Sequence, residues 1–333
     1  MDDPEQTRRP EGDGPAHPTP TTRRQDFDAR ARAARTDFEQ SLRQRRAQME
    51  ARNVALTART GRNLPAAIGI ALAFAAVMLA SLLLWTPSFM VVGAGLIGLG
   101  VYELASAMRF AGRDVPRIPS VIAGVAIVPA AFLLGPEAAL VTLLGGILFV
   151  SLWRLVEVAV AHIGLTARSV VQDLTSGLFI QSYVTLLGAC VVILAAQPRG
   201  QLWVIGFILV VVAVDTGAYA TGLTLGKHPM APRISPKKTW EGFAGSLGAS
   251  MIVGIVVSWL LLGQAWWFGF VLGVLITASA TLGDLTESMI KRDLGIKDIS
   301  SFLPGHGGLL DRIDSILPSA AVGLVSYLVL AGH

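Results

Sequence analysis

The chain is predicted to be an all-α, polytopic transmembrane protein of about nine helical spans, N-terminus cytoplasmic and C-terminus outside. Three observations predict it. Only 15% of the 333 residues are charged and 53% are hydrophobic, against about a quarter charged in a soluble domain. Of the 50 charged side chains, 23 fall in the first 62 residues, and the rest of the chain divides into apolar runs near the roughly 20 residues that cross a bilayer. The basic residues between those runs lie almost entirely on alternate connections.

Residues 1–62 read as a cytoplasmic tail. The first 24 are rich in Pro, Gly, Thr and charge, a composition expected to stay disordered. From 25 to 60 Ala, Arg, Gln and Glu dominate without Gly or Pro, which favours partial helix. Phe27, Phe38 and Met49 recur every eleven residues, a stripe that fits a helix lying on anionic lipid or a solvated tail. The first apolar run opens near Leu64, too deep for a secretory signal, so none is expected.

The transmembrane region, 63–333, reads as spans at about 65–85, 88–108, 119–135, 138–153, 177–196, 202–225, 243–262, 267–286 and 310–331. Arg154 and Glu157 bound the fourth. With the tail inside, the cytoplasmic connections hold thirteen Lys and Arg and the outside ones hold Arg199 alone. Basic residues stay on the cytoplasmic side, and an odd number of spans makes the alternation clean. A bacterial inner membrane is the expected location. Cys190, the only cysteine, sits in an apolar run, so neither a disulfide framework nor a cysteine metal site is expected. The net charge of +4 is modest, and no nucleic-acid partner is expected.

Carboxylates in or beside apolar spans are costly and need partners or a function. Asp215 lies in the sixth span, one helical turn before Tyr219. The next connection, 226–242, gathers Ser235, Lys237, Lys238, Thr239 and Glu241 in a segment bounded by prolines. Asp284, Ser288 and Lys291 share one face where the eighth span emerges, with Glu287 beside them. Gly305, His306, Gly307 and Gly308 lead into the ninth span, where Asp311 and Asp314 share a face. Glycines before a helix start let amides approach an anion. Carboxylates and hydroxyls with few His suit a hard cation such as Mg²⁺, and lysines with a glycine-rich helix entry suit a polyphosphate. Together they point to a cytoplasm-facing Mg²⁺–nucleotide site. Taken singly, Lys237 and Lys238 also read as membrane anchors, Trp240 as an interfacial aromatic, and Arg312 as the neutralising partner of Asp311 or Asp314.

The run from Ser288 to Asp314 carries Ser, Lys-Arg, Lys-Asp, His-Gly-Gly and Asp-Arg-x-Asp at fixed spacing. It resembles the signature of the phosphatidate cytidylyltransferases, or CDP-diacylglycerol synthases. Asp-Thr-Gly-Ala-Tyr from Asp215 and Ile-Ser-Pro-Lys-Lys-Thr-Trp-Glu-Gly ending at Gly242 look like the same family. The resemblance covers roughly 65–331 and is strongest from 215 to 315; Ser300 and Ser301 depart mildly from it, and the tail lies outside it. It implies that CTP and phosphatidic acid become CDP-diacylglycerol and pyrophosphate, that Mg²⁺ is required with K⁺ as an accompanying cation, and that two chains form a homodimer. It also implies that Asp284, Lys291 and Asp311 match positions of the metal centre.

On that reading Asp284 and Asp311 hold metal, with Asp314 and Asp298 supporting. Lys291, Arg292 and Arg312 hold phosphates, and Gly305–Gly308 cradle the triphosphate. Ser235, Lys237, Lys238 and Thr239 close the site beside the lipid phosphate, with Asp215, Glu241 and Ser288 among the substrate contacts. The rival from another class is an ion-coupled transporter, since intramembrane carboxylates also line ion pathways. It expects carboxylates near mid-bilayer and no loop motif, whereas here the polar residues crowd the 215–315 stretch. The spaced aspartates of CDP-alcohol phosphotransferases are not found.

Overall fold

The computed structural model describes residues 64–161, 166–296, 299–300 and 308–331. The tail lies outside the described residues, as do Asp298, Gly305, His306 and Gly307. The helices are α1 (Leu64–Leu83), α2 (Phe89–Phe110), α3 (Arg117–Pro129), α4 (Pro136–Ala161), α5 (Ala167–Ile180), α6 (Leu187–Ala196), α7 (Gly200–Leu225), α8 (Trp240–Val256), α9 (Trp266–Asp293), α10 (Leu310–Ile313) and α11 (Ile316–Ala331). Stretches of π-helix extend α3 to Leu134, join α5 to α6, and extend α8 to Leu262. Among the described residues seven helical segments are long and apolar enough to cross a membrane, and two shorter apolar ones are Leu72–Leu83 and Ile316–Leu330. These stand where the sequence places its nine runs.

Four local expectations are revised. The fourth helix does not stop at Arg154 but runs to Ala161. Arg154 and Asp173 are buried together, with Arg154 Nη2 donating to Asp173 Oδ2 at 2.8 Å and Nη1 to Glu157 Oε2 at 3.2 Å, so the charge that ought to end the span is neutralised within it. The fifth helix begins ten residues earlier than expected, at Ala167, capped by Thr166. The 226–242 loop contains a small antiparallel hairpin, β1 (Pro229–Ala231) with β2 (Ser235–Thr239), registering Pro229 with Thr239 and Ala231 with Ser235. The ninth run breaks between α10 and α11 at Asp314 and Ser315. Pro318 accounts for the break: it has no N–H for the carbonyl four residues back, and its ring crowds that carbonyl.

Small residues bring the C-terminal helices into backbone contact. A Cβ at Gly254 of α8 would overlap the Gly269 carbonyl oxygen of α9, and one at Gly269 would overlap that of Gly254. Ser250 and Thr277 join hydroxyls at 2.6 Å across the same seam. Close approach between small residues is how helices associate where lipid supplies no hydrophobic drive. The α7–α8–α9 layer that results fixes the position of the polar helix ends.

Candidate active site

Four stretches of chain, well separated in sequence, converge on one cavity of about 390 Å³. Asp215 comes from the C-terminal half of α7, Lys237 and Lys238 from β2, Asp284 from α9, Asp311 from α10 and Asp314 from the α10–α11 junction. Apolar groups, Phe243 and Met230 among them, make up much of the remaining wall. A pocket with acidic and basic groups on an apolar floor has the character of a substrate site.

The charges are already organised. Lys238 pairs with Asp284. Lys291 Nζ bridges Glu287 Oε1 at 3.1 Å and Asp311 Oδ1 at 3.0 Å. Glu287 is fully buried, and its Oε2 has no hydrogen-bond partner among the described residues. Asp311 also accepts the Gly308 amide at 2.8 Å and the Ile299 amide at 3.4 Å on Oδ2. Asp311 precedes the apolar helix α11.

Carboxylates predominate in the cavity: four aspartates face two lysines. This all-oxygen donor set suits a hard divalent cation and not zinc. Among the described residues no group of three His, Cys, Asp or Glu side chains stands ready as a metal cage; Lys238 and Lys291 neutralise Asp284 and Asp311 instead.

Residues 62–330 match the model of the cytidylyltransferase family. The chain belongs to that family. It is 38% identical over 274 residues to a phosphatidate cytidylyltransferase of Mycobacterium leprae, covering 80% of this chain and 88% of that protein. A protein of the same name from Mycobacterium tuberculosis strain H37Rv is 38% identical over 279 residues, 82% of this chain and 85% of its own length. One from Synechocystis is 46% identical over 134 residues, 40% of this chain and 45% of its own. Membership makes the chain a nucleotidyltransferase, and the cavity is its candidate active site.

The cytidylyltransferase cavity gathers six of the charged residues predicted from sequence, and Thr239 lines it too. Thr239 is also the N-cap of α8, its hydroxyl accepting the Gly242 amide at 3.1 Å. Others lie elsewhere. Glu241 accepts the amides of Lys227 and His228 at 3.1 and 3.2 Å and meets His228 Nδ1 at 2.5 Å, so it clasps the loop. Arg292 donates to the Ile234 carbonyl at 3.3 Å, tying α9 to the hairpin. Ser288 sits 3.4 Å from Asp284 Oδ1. Ser235 stands at the start of β2, and Arg312 is exposed on α10.

The anion cradle expected at the entry to the ninth run is differently used in its described part. Glu103 of α2, buried and distant in sequence, accepts the Leu309 and Leu310 amides at 3.0 and 2.9 Å. Sequence reasoning missed Glu103, although a lone carboxylate within Val101-Tyr-Glu-Leu104 was a visible signal. It also missed Tyr183, whose buried hydroxyl has no hydrogen-bond partner among the described residues.

Proposed function

We infer that the protein transfers CMP from CTP to phosphatidic acid, giving CDP-diacylglycerol and pyrophosphate. The observation that carries this reading is the meeting of Asp215, Lys238, Asp284, Asp311 and Asp314 in one cavity of a chain whose family and relatives are cytidylyltransferases. A phosphate oxygen of phosphatidic acid attacks the α-phosphorus of CTP; the bond from that phosphorus to the β-phosphate bridge oxygen breaks, and pyrophosphate leaves. The lipid phosphate has a second pKa near ~6, as phosphomonoesters do, and is largely dianionic at neutral pH. No general base is required. The obstacle is repulsion between polyanions, so the protein's task is neutralisation and alignment.

Lys237 and Lys238 line the cavity and are assigned to substrate phosphates; Lys291 holds Asp311 and Glu287 in place. Asp284, Asp311 and Asp314 would hold Mg²⁺, with K⁺ proposed beside it. Bound there, Mg²⁺ would supply positive charge to the triphosphate. Phosphatidic acid stays in its leaflet and CTP is soluble, so a cavity at helix ends with an apolar wall suits both. That geometry supports a site on the cytoplasmic face of a bacterial inner membrane, with nine spans, the N-terminus inside and the C-terminus outside. A homodimer is proposed on the family resemblance.

The test uses purified protein in micelles with labelled CTP. A lipid-soluble cytidine product is expected only when phosphatidic acid and Mg²⁺ are both present. Asp311→Asn is expected to lower turnover by at least ~100-fold while the protein stays folded. Near-normal turnover in that variant would overturn the metal assignment, and absence of product from the wild type would overturn the reaction.

A further inference from the structure

We propose that Glu103 is a positioning residue for the reaction, acting on Asp311 through the backbone around it. This rests on the proposed cytidylyl transfer. Glu103 lies on α2, outside every motif that carries the chemistry, and its relative exposure is 3%. Both carboxylate oxygens are engaged. Oε1 accepts the Ser300 hydroxyl at 2.6 Å and the Leu309 amide at 3.0 Å; Oε2 accepts the Leu310 amide at 2.9 Å. Ser300 and Leu309 stand nine positions apart in sequence and are held by one oxygen.

Asp311 is bound to the same stretch from the other side. It takes the Ile299 amide, one residue before Ser300, and the Gly308 amide, one residue before Leu309. The two carboxylates therefore divide neighbouring donors between them: Ile299 and Gly308 go to Asp311, Ser300 and Leu309 to Glu103. Between them Gly308 leaves no spare room, since a Cβ there would lie 3.0 Å from Glu103 Oε2 and 3.1 Å from Asp311 Oδ2. Glu103 thus fixes where the backbone carrying Asp311 enters the cavity, while Asp311 keeps Oδ1 toward Lys291.

The three donors to Glu103 are neutral, and all need an acceptor. Gln at this position keeps the shape and one oxygen acceptor but turns an N–H₂ group toward an amide N–H or the Ser300 hydroxyl. Reacting groups tolerate little misplacement, roughly a hundredfold in rate for 1 Å. The expected result for Glu103→Gln is a ~10–100-fold fall in kcat. The KM for phosphatidic acid should stay unchanged and the Mg²⁺ concentration for half-maximal rate should rise, with little change in thermal unfolding. Glu103→Asp, which keeps a pure acceptor, should recover part of kcat.

Hydrogen exchange supplies a readout independent of turnover: the Leu309 and Leu310 amides should be protected in the wild type and exchange faster in Glu103→Gln. A Glu103→Gln enzyme with wild-type kcat and Mg²⁺ dependence would overturn the proposal. So would a loss of rate that only tracks loss of folded protein and is not recovered by Asp. Failure of the reaction reading itself is separately visible, as wild-type protein with protected amides and no cytidine-lipid product.

Discussion

Gly308 shows how one residue can be read correctly as special and for the wrong reason. Its place before a helix suggests an amide free to approach a phosphate. In the structure that amide is given to Asp311 Oδ2, and the missing Cβ makes room for Glu103, Asp311 and Ser300 Oγ, the last 3.2 Å from where it would sit. Both carboxylates are held by several donors, so neither yields without losing hydrogen bonds. Gly308→Ala is expected to cost ~1–3 kcal/mol in overpacking and to lower cytidylyl transfer more than it lowers the thermal midpoint. Measuring both on one preparation checks it, and an unimpaired Gly308→Ala variant would mean that the pocket around this glycine is looser than these distances.

At the scale of the element, the ninth run is the informative case. Apolar periodicity makes 310–331 one span, yet Pro318 divides it and leaves the Asp314 carbonyl outside the helical ladder. Gly283 of α9 receives that carbonyl: a Cβ there would overlap the Asp314 oxygen and lie 2.8 Å from Pro318 Cγ. The break therefore sets how Asp311 and Asp314 stand against Asp284. Pro318→Ala is expected to let α10 and α11 merge, holding or raising the thermal midpoint while turnover falls ~10-fold or more through misplacement of the aspartates. Unchanged turnover in that variant would show that the break is not needed for the site.

Across the whole molecule, the buried ionic cluster on α4 and α5 holds the half of the bundle away from the cavity. Arg154 and Asp173 side chains are 7% and 5% exposed, and Asp173 Oδ1 also accepts the Asp114 amide at 2.8 Å from the connection before α3. Removing one partner strands a charge, at a cost of about 3–5 kcal/mol. Asp173→Leu alone is expected to lower the thermal midpoint in micelles sharply. Adding Arg154→Met should restore most of it, with KM for CTP unaffected in any protein that folds. If the double variant is no more stable than the single one, the pair contributes more than mutual neutralisation.

The sequence by itself determined the helical membrane architecture, because long apolar runs leave the backbone no other way to satisfy its hydrogen bonds in lipid. It also determined the family, and it pointed to charged groups that the fold brings to the cavity, because Asp284, Asp311 and Asp314 stand at spacings that a linear reading can see. Tertiary structure alone decided which of them meet. Asp215 and Lys238 reach the same cavity as Asp311, whereas Glu241 and Arg292, from the same motifs, turn to fastening the hairpin. It alone tied Glu103 to Leu309 and Leu310, some two hundred positions away. Burial and long-range hydrogen bonding assign those roles, and neither is a property of neighbours along the chain.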